Sequence, residues 1–203
     1  NFDSLSPNVL NRPKHLTEED IRKANPDSDN DIINKYLEID DRYNVPVNES
    51  NNPGLPENNG GVSFRYYTPT ECERSNINNH SVVTIIEYLG VKIFIPGDNE
   101  NPSWDELLNR DGFINDIEGT NIYVASHHGR ESGYSSELFK YIEPYLVIVS
   151  DDKETDTSIT SKYSEKASGW KVYSRRDNSS EKRYCLTTRK DGMIEIKVYK
   201  KDD

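Results

Sequence analysis

The apolar residues of this chain fall into short runs separated by polar segments, a pattern typical of a sheet with connecting loops and helices. Runs rich in Val, Ile and Tyr predict strands. The predicted strands cover residues 62–67, 82–88, 91–95, 122–125, 146–149, 170–174, 183–188 and 194–199. Leu89-Gly90 and Asp191-Gly192 are the predicted turns of two hairpins. The nearly continuous apolar character of 82–88 and 91–95 predicts that both strands are buried on both faces.

Helix signals lie between these strands. Thr17 followed by three acidic residues is typical of a helix start, and Pro26 ends that helix. Ser103 is the predicted N-cap of a helix over 104–108. A further helix is predicted to begin at Ser135 or Ser136 and to end before Pro144. The remaining helical segments are predicted at 28–37 and 163–167.

The mixture of strands and helices predicts an α/β or α+β fold with a layered core. The length favours one domain over residues 1–203. Within it, residues 1–61 are a helical and loop segment, and residues 62–203 contain the sheet. Residues 48–61 are rich in Asn, Gly and Pro, so they form turns and serve either as a linker or as a mobile lid.

Composition limits the classes of function. The formal net charge of -11 does not support a basic groove along nucleic acid, although a local one is compatible with it. No apolar run approaches the roughly 20 residues of a membrane span, and no signal peptide is recognisable. The two cysteines, Cys72 and Cys185, form no Cys-x-x-Cys pair and are predicted to be reduced thiols. We therefore expect a cytoplasmic protein without a membrane partner.

Two of the four histidines stand together at a predicted strand end. His127 and His128 precede Gly129, whose backbone freedom permits both imidazoles to turn towards one ion. Asp98 follows the strand 91–95 through a Pro-Gly turn. A carboxylate and imidazoles together suit zinc, iron or manganese, and a carboxylate can bridge two ions. The alternative is structural: a turn aspartate bonded to its own backbone, with one buried and one exposed histidine.

The residues after the histidine pair suit an anionic substrate. Arg130 and Ser132 offer hydrogen-bond donors, and the predicted helix start at Ser135 offers free N–H groups. Beside a metal ion, this segment would form a phosphate pocket. A second polar cluster follows a predicted strand and forms either a solvated loop or a substrate rim. Its members are Asp151, Asp152, Asp156 and Thr157.

Three motifs occur in the order found in a known family. They are Asn78-Asn79-His80-Ser81-Val82-Val83, Ile95-Pro96-Gly97-Asp98 and Ser126-His127-His128-Gly129. Over about residues 76–150 the chain resembles the second half of a metallo-β-lactamase-fold hydrolase, most closely the ComEC-like competence-protein branch. The resemblance implies a four-layer αββα sandwich with a two-metal site at a sheet edge. It implies that Asp98 bridges the metals and that one histidine is a ligand, with His128 the better match and His127 facing substrate or a ligand.

The resemblance has two departures. The family usually has Ser where this chain has Arg130, and its first metal motif, His-x-His-x-Asp-His, does not occur in residues 1–61, where His15 stands alone. The chain also starts at Asn1, and its only methionine is Met193. We therefore expect the first half of the fold to lie upstream, to arrive as a separate chain, or to be lost.

These expectations give two functions of different classes. With the first half present, the chain belongs to a metal-dependent hydrolase of phosphoesters or phosphodiesters, with two zinc ions, or manganese or iron, and a metal-activated water as the nucleophile. With the first half lost, it is a catalytically inactive binding or scaffolding module.

Overall fold

The computed structural model describes residues 2–5, 7–26, 30–151 and 158–200. Eight strands are formed in these ranges. They are β1 Ser63–Tyr67, β2 Val83–Tyr88, β3 Val91–Ile95, β4 Ile122–Val124, β5 Leu146–Val149, β6 Trp170–Ser174, β7 Ser179–Arg183 and β8 Cys185–Thr187. Six of them form one mixed sheet in the order β1-β2-β3-β4-β5-β8, and β6 and β7 form a separate two-stranded ribbon.

The direction of the strands determines where their loops meet. β1, β2 and β3 are antiparallel neighbours, whereas β3, β4, β5 and β8 run parallel to one another. The carboxyl ends of parallel strands lie at the same edge of a sheet, which is where open α/β sheets bind ligands. The loops that follow β3, β4 and β5 therefore emerge side by side.

Seven α-helices are formed within the described parts of the chain. They are α1 Phe2–Leu5, α2 Glu18–Ala24, α3 Asn30–Arg42, α4 Asn101–Leu107, α5 Phe113–Ile117, α6 Thr160–Ser164 and α7 Thr188–Asp191. α2 begins with the predicted capping box, in which Thr17 and Asp20 exchange hydrogen bonds. None of the helices in the described residues has the length and apolar composition that a membrane span requires.

One face of the sheet, the helix-covered face, is buried over its central part. The buried side chains there are Val83, Ile85, Phe94, Tyr123, Val147 and Val149. They pack against Trp104 and Leu107 of α4, Phe113 and Ile117 of α5, Leu138 and Ile142, and Tyr163 of α6. This cluster is the main core of the chain.

The opposite face, the half-exposed face, is apolar but incompletely covered. Alternation along the strands places Phe64, Ile86, Ile93, Ile95, Ile122 and Val124 on it, and all six side chains are only partly buried. At its β5–β8 end, Leu146, Ile148 and Leu186 are buried, with Val172 and Ile194 packed against them. The predicted burial of 82–88 and 91–95 on both faces is thus wrong: Val83, Ile85 and Phe94 are buried on one face, and the other face is only partly covered.

The N-terminal segment packs beside the loop that follows β1. Arg74 pairs with Asp20 at 2.8 Å, and the ring nitrogens of His15 and His80 lie 2.9 Å apart. His80 is buried and occupies a structural position in this packing. Residues 48–61 form turns closed by their own Asn side chains, as in the 2.8 Å bond from the Gly54 N–H to Asn52 Oδ1.

Several predicted elements are wrong near the end of the chain. The segment 183–188 is divided, because its first residue closes the β6–β7 ribbon while Cys185–Thr187 joins the main sheet. α7 occupies the position of the predicted Asp191-Gly192 hairpin turn, and residues 194–199 form no strand.

Two predicted helices in the middle of the chain also differ from the structure. The predicted helix at Ser135 is only a 3₁₀ turn, Leu138–Lys140, because aromatic and β-branched residues disfavour helix and Pro144 follows closely. α4 begins at Asn101, so Ser103 lies inside it and bonds Asn79 instead of capping.

Candidate functional site

The loops after β3, β4 and β5 bring the predicted site residues to one sheet edge. The loop after β3 carries Asp98, and the loop after β4 carries His127 and His128. Direct hydrogen bonds join the loops: the His127 N–H donates to the Gly97 carbonyl at 3.1 Å, and Ser126 Oγ donates to the same oxygen at 3.1 Å. The juxtaposition predicted from the strand ends is present in the structure.

The histidine pair has an unusual backbone. His127 and His128 have φ values of 48° and 56°, and Gly129 has a φ of 72°. Left-handed conformations of this kind cost non-glycine residues about 1 kcal/mol or more each and concentrate at functional sites. Glycine is required at the third position, since a Cβ on Gly129 would lie 2.9 Å from Val149 Cγ1. The turn sends the two imidazoles in different directions.

His128 points towards Asp98. Its Nε2 lies 3.7 Å from Asp98 Oδ1, and the two side chains are 48% and 44% exposed. Two ligands of one tetrahedral zinc ion, each at about 2.0–2.1 Å, lie about 3.4 Å apart. This open pair therefore has nearly the spacing of two donors to one cation.

The other ring nitrogen of His128 fixes the tautomer. Nδ1 lies 2.8 Å from the Ser150 carbonyl oxygen, which can only accept a hydrogen bond. Nδ1 therefore carries the proton, and in the neutral ring Nε2 presents its lone pair to the side of Asp98. Metal-binding histidines are commonly oriented by a carbonyl in this way, so the donor set fits a divalent transition metal ion.

His127 is directed away from Asp98 into a polar network. Its Nδ1 lies 2.7 Å from Glu100 Oε1, with the side chains 12% and 18% exposed. Its Nε2 lies 3.2 Å from Arg130 Nη1, and because a guanidinium only donates, Nε2 is an acceptor there. The structure thus separates the two histidines, with His128 beside Asp98 and His127 beside Glu100.

Glu100 is the charged centre of this network. Asn76 donates to its carboxylate at 2.9 Å, Asn78 at 3.4 Å and Ser132 at 3.1 Å. Burial by itself would raise the pKa of Glu100, but the hydrogen bonds from Asn76, Ser132 and Asn78 and the nearby His127 outweigh it, so the pKa is lowered. Glu100 is therefore ionised at neutral pH and holds the His127 ring in place.

The predicted anion-binding residues are only partly assembled. Arg130 and Ser132 lie beside His127 at exposed positions. Ser135 is buried and its hydroxyl accepts the Leu138 N–H at 3.3 Å. No α-helix begins there, so this segment offers an arginine and a serine hydroxyl but no helix dipole. Of the predicted polar rim, Asp151 is described, while Asp152, Asp156 and Thr157 lie outside the described residues.

Asp98 and His128 form a pair of candidate metal ligands. Over 2–5, 7–26, 30–151 and 158–200, no group of three or more His, Cys, Asp and Glu side chains is placed to hold one ion. No protein-family model matches the chain. The curated proteins compared with it give no match either. The family resemblance accordingly remains a prediction from the motifs.

Sequence reasoning missed Glu100 and the residues that hold it. One of many acidic residues, it follows Asp98 by two positions in a turn, where no periodicity marks it. The Asn-rich stretch before β2 was a usable signal, because Asn79 Oδ1 accepts the Glu100 N–H at 3.0 Å and Ser81 Oγ accepts the Asp98 N–H at 3.1 Å. The first of the three motifs therefore supports the second.

Proposed function

We propose that this chain forms part of a metal-dependent hydrolase with a metallo-β-lactamase-like fold, acting on a phosphoester or phosphodiester. The observation that carries the proposal is the pair Asp98 and His128, with Nε2 and Oδ1 3.7 Å apart and the His128 tautomer fixed by Ser150. An open carboxylate–imidazole pair at the carboxyl edge of a parallel sheet is a suitable start for such a site. A cytoplasmic location is part of the proposal, because Cys72 and Cys185 are free thiols.

The half-exposed face supports the proposed four-layer αββα arrangement. Phe64, Ile86, Ile93 and Ile122 form a continuous apolar surface across β1 to β4 that is only partly buried. A sheet face of this composition gains stability by packing on another sheet about 10 Å away. We infer that a second sheet covers it, supplied by the same polypeptide or by another chain, and that it also brings further metal ligands.

Asp98 and His128 would hold the metal ion in the complete site. A bound zinc, manganese or iron ion supplies Lewis acidity and lowers the pKa of a coordinated water towards neutrality. The chain's own residues prepare the surroundings. Glu100 holds the His127 Nδ1 proton, Nε2 accepts a hydrogen bond from Arg130, and Arg130 provides a cation for an anionic substrate.

The test compares two site variants of the full-length protein with one surface variant. Metal content and hydrolysis of a chromogenic phosphodiester are measured for the wild type, Asp98→Ala and His128→Ala, with Asp105→Ala of the exposed surface as control. We expect both site variants to lose about 100-fold or more in metal affinity and activity, and the control to match the wild type. Absence of a bound transition metal in the wild type would contradict the proposal and favour the binding or scaffolding module.

A further inference from the structure

A buried ion pair involves the residue next to Ser150, whose carbonyl orients His128. Asp151 follows Ser150, and its carboxylate lies 3.4 Å from Arg189 Nη2 in α7, with the side chains 3% and 12% exposed, respectively. Ser158 Oγ also donates to Asp151 Oδ2 at 2.8 Å. A carboxylate buried this deeply is retained only when it is paired and hydrogen-bonded. These contacts fix the backbone just beyond β5.

The backbone on both sides of Ser150 is fixed by its neighbours. On one side, Val149 is paired with Thr187 in the parallel ladder between β5 and β8. On the other, the Asp151 N–H donates to Thr188 Oγ1 and the Thr188 hydroxyl donates to the Asp151 carbonyl, both at 2.9 Å. The Ser150 carbonyl between them is therefore held in place and meets the His128 Nδ1 proton at 2.8 Å.

The same group of contacts also holds the last residue of the left-handed turn at His127–Gly129. The Ile159 N–H, next to Ser158, donates to the Gly129 carbonyl at 2.9 Å. Ser158 thus connects the Asp151 carboxylate to the residue after His128. His128 itself is half exposed and lies in a costly backbone conformation, so its ring orientation depends on these supports.

We propose that the buried Asp151–Arg189 pair is a positioning element for His128: through the Ser150 carbonyl, it keeps the Nδ1–H tautomer and directs Nε2 towards Asp98. The orientation is a property of the chain alone, whereas its use in metal binding rests on the proposed function. Neither Asp151 nor Arg189 touches the ion; both act through Ser150.

The chain contains a matched control at the other end of the same helix. Arg183 Nη2 lies 3.0 Å from Asp191 Oδ1, and Asp191 Oδ2 accepts the Thr187 N–H at 2.8 Å. This pair secures α7 without any contact to Ser150 or Asp151 in the bonds described above. Asp191→Asn therefore reports the general cost of loosening α7.

The experiment compares Asp151→Asn, Arg189→Met, Arg189→Lys and Asp191→Asn in the full chain. The tautomer of His128 is read from the ¹H–¹⁵N correlations of its ring at about pH 8, and the affinity for Zn²⁺ or Co²⁺ by direct titration. We expect Asp151→Asn and Arg189→Met to mix the two tautomers and to weaken metal binding about tenfold or more. Arg189→Lys, which keeps the positive charge, should show both effects more weakly than Arg189→Met. Asp191→Asn should change neither the tautomer nor the metal affinity by more than about twofold.

Each outcome separates this inference from the proposed function. If folded Asp151→Asn and Arg189→Met keep the wild-type tautomer of His128, the positioning role is wrong. If the tautomer shifts in these variants while the wild type binds no metal, the positioning role stands and the proposed function fails. If both variants unfold, Ser158→Ala, which removes a single bond to Asp151, decides: a shifted tautomer supports the role, and an unchanged one overturns it.

Discussion

The two faces of the six-stranded sheet are built from similar residues but have different surroundings. On the helix-covered face, Ile85 and Phe94 are 2% and 0% exposed. On the half-exposed face, Ile86 and Ile93 come next to them in sequence and remain partly accessible. Consecutive residues of one strand point to opposite faces, so both sides of these strands carry apolar side chains, while helices cover only one side.

This difference shows which face of the sheet stabilises the chain and which face remains available to another structural element. Burial of apolar area contributes about 25 cal/mol per Å², and Ile85 and Phe94 on the helix-covered face make nearly all of the contribution available to their side chains. The half-exposed face retains unused apolar area, which is typical of a surface that joins another element. The candidate site lies at the edge of this same sheet, where a second layer would bring additional side chains.

The largest expected effect comes from truncating consecutive isoleucines of β2. Ile85→Ala removes a side chain packed in the main core and is expected to lower the free energy of unfolding by about 3 kcal/mol, within the 2–5 kcal/mol typical of buried isoleucine. Ile86→Ala, in the same strand and of the same residue type, is expected to lower the free energy of unfolding by only about 1 kcal/mol, because its side chain is already partly exposed to water. Urea denaturation of both variants at constant protein concentration measures the two values. Equal losses would show that the faces are equally buried in solution.

The sequence predicted strands β1 to β5 well because each is a local apolar run bounded by turn residues. It also placed Asp98 and His128 together, since both follow such runs. It failed where contacts with a partner, and not the segment's own apolar character, determine the structure: β7, Ser179–Arg183, is polar and is a strand because it pairs with the preceding β6. The role of Glu100 was not predicted for a related reason, since that role depends on hydrogen bonds from Asn76 and Ser132, which are remote in sequence.

A second prediction concerns the covering layer and not the sheet. Glu106 of α4 ties down the loop after β1, accepting the N–H groups of Thr70, Glu71 and Cys72 at 2.7, 2.9 and 3.1 Å. Burial alone would raise the pKa of Glu106, but the hydrogen bonds from the Thr70 and Glu71 N–H groups and from the Cys72 thiol, together with Arg110, lower it from the ordinary 4.5. Its stabilising contribution is therefore complete above about pH 4.5 and is lost as the pH falls through the lowered folded-state value.

Glu106→Gln tests this contribution. We expect a loss of about 1–2 kcal/mol at pH 7, because an amide presents an N–H₂ group to one of the backbone donors. The difference from the wild type should shrink in denaturation curves recorded below pH 4.5. Glu57→Gln, at an exposed position, serves as the control. A difference that stays constant from pH 7 to acid would show that the charge of Glu106 contributes nothing.

The smallest expected effect concerns a polar replacement on the half-exposed face. Ile93 lies between Ile86 and Ile122 in the sheet register. Ile93→Thr keeps the β-branched shape that strands favour, and its hydroxyl stays in contact with water, so the free energy of unfolding should fall by less than about 1 kcal/mol. Val83→Thr on the helix-covered face, at 0% exposure, buries the same hydroxyl and should cost about 1–3 kcal/mol. Fluorescence of an apolar dye should decrease for Ile93→Thr, because the replacement removes part of an accessible apolar surface. If Ile93→Thr destabilises the chain as much as Val83→Thr does, the half-exposed face is already covered in solution, and the second sheet that we propose has no surface left on which to pack.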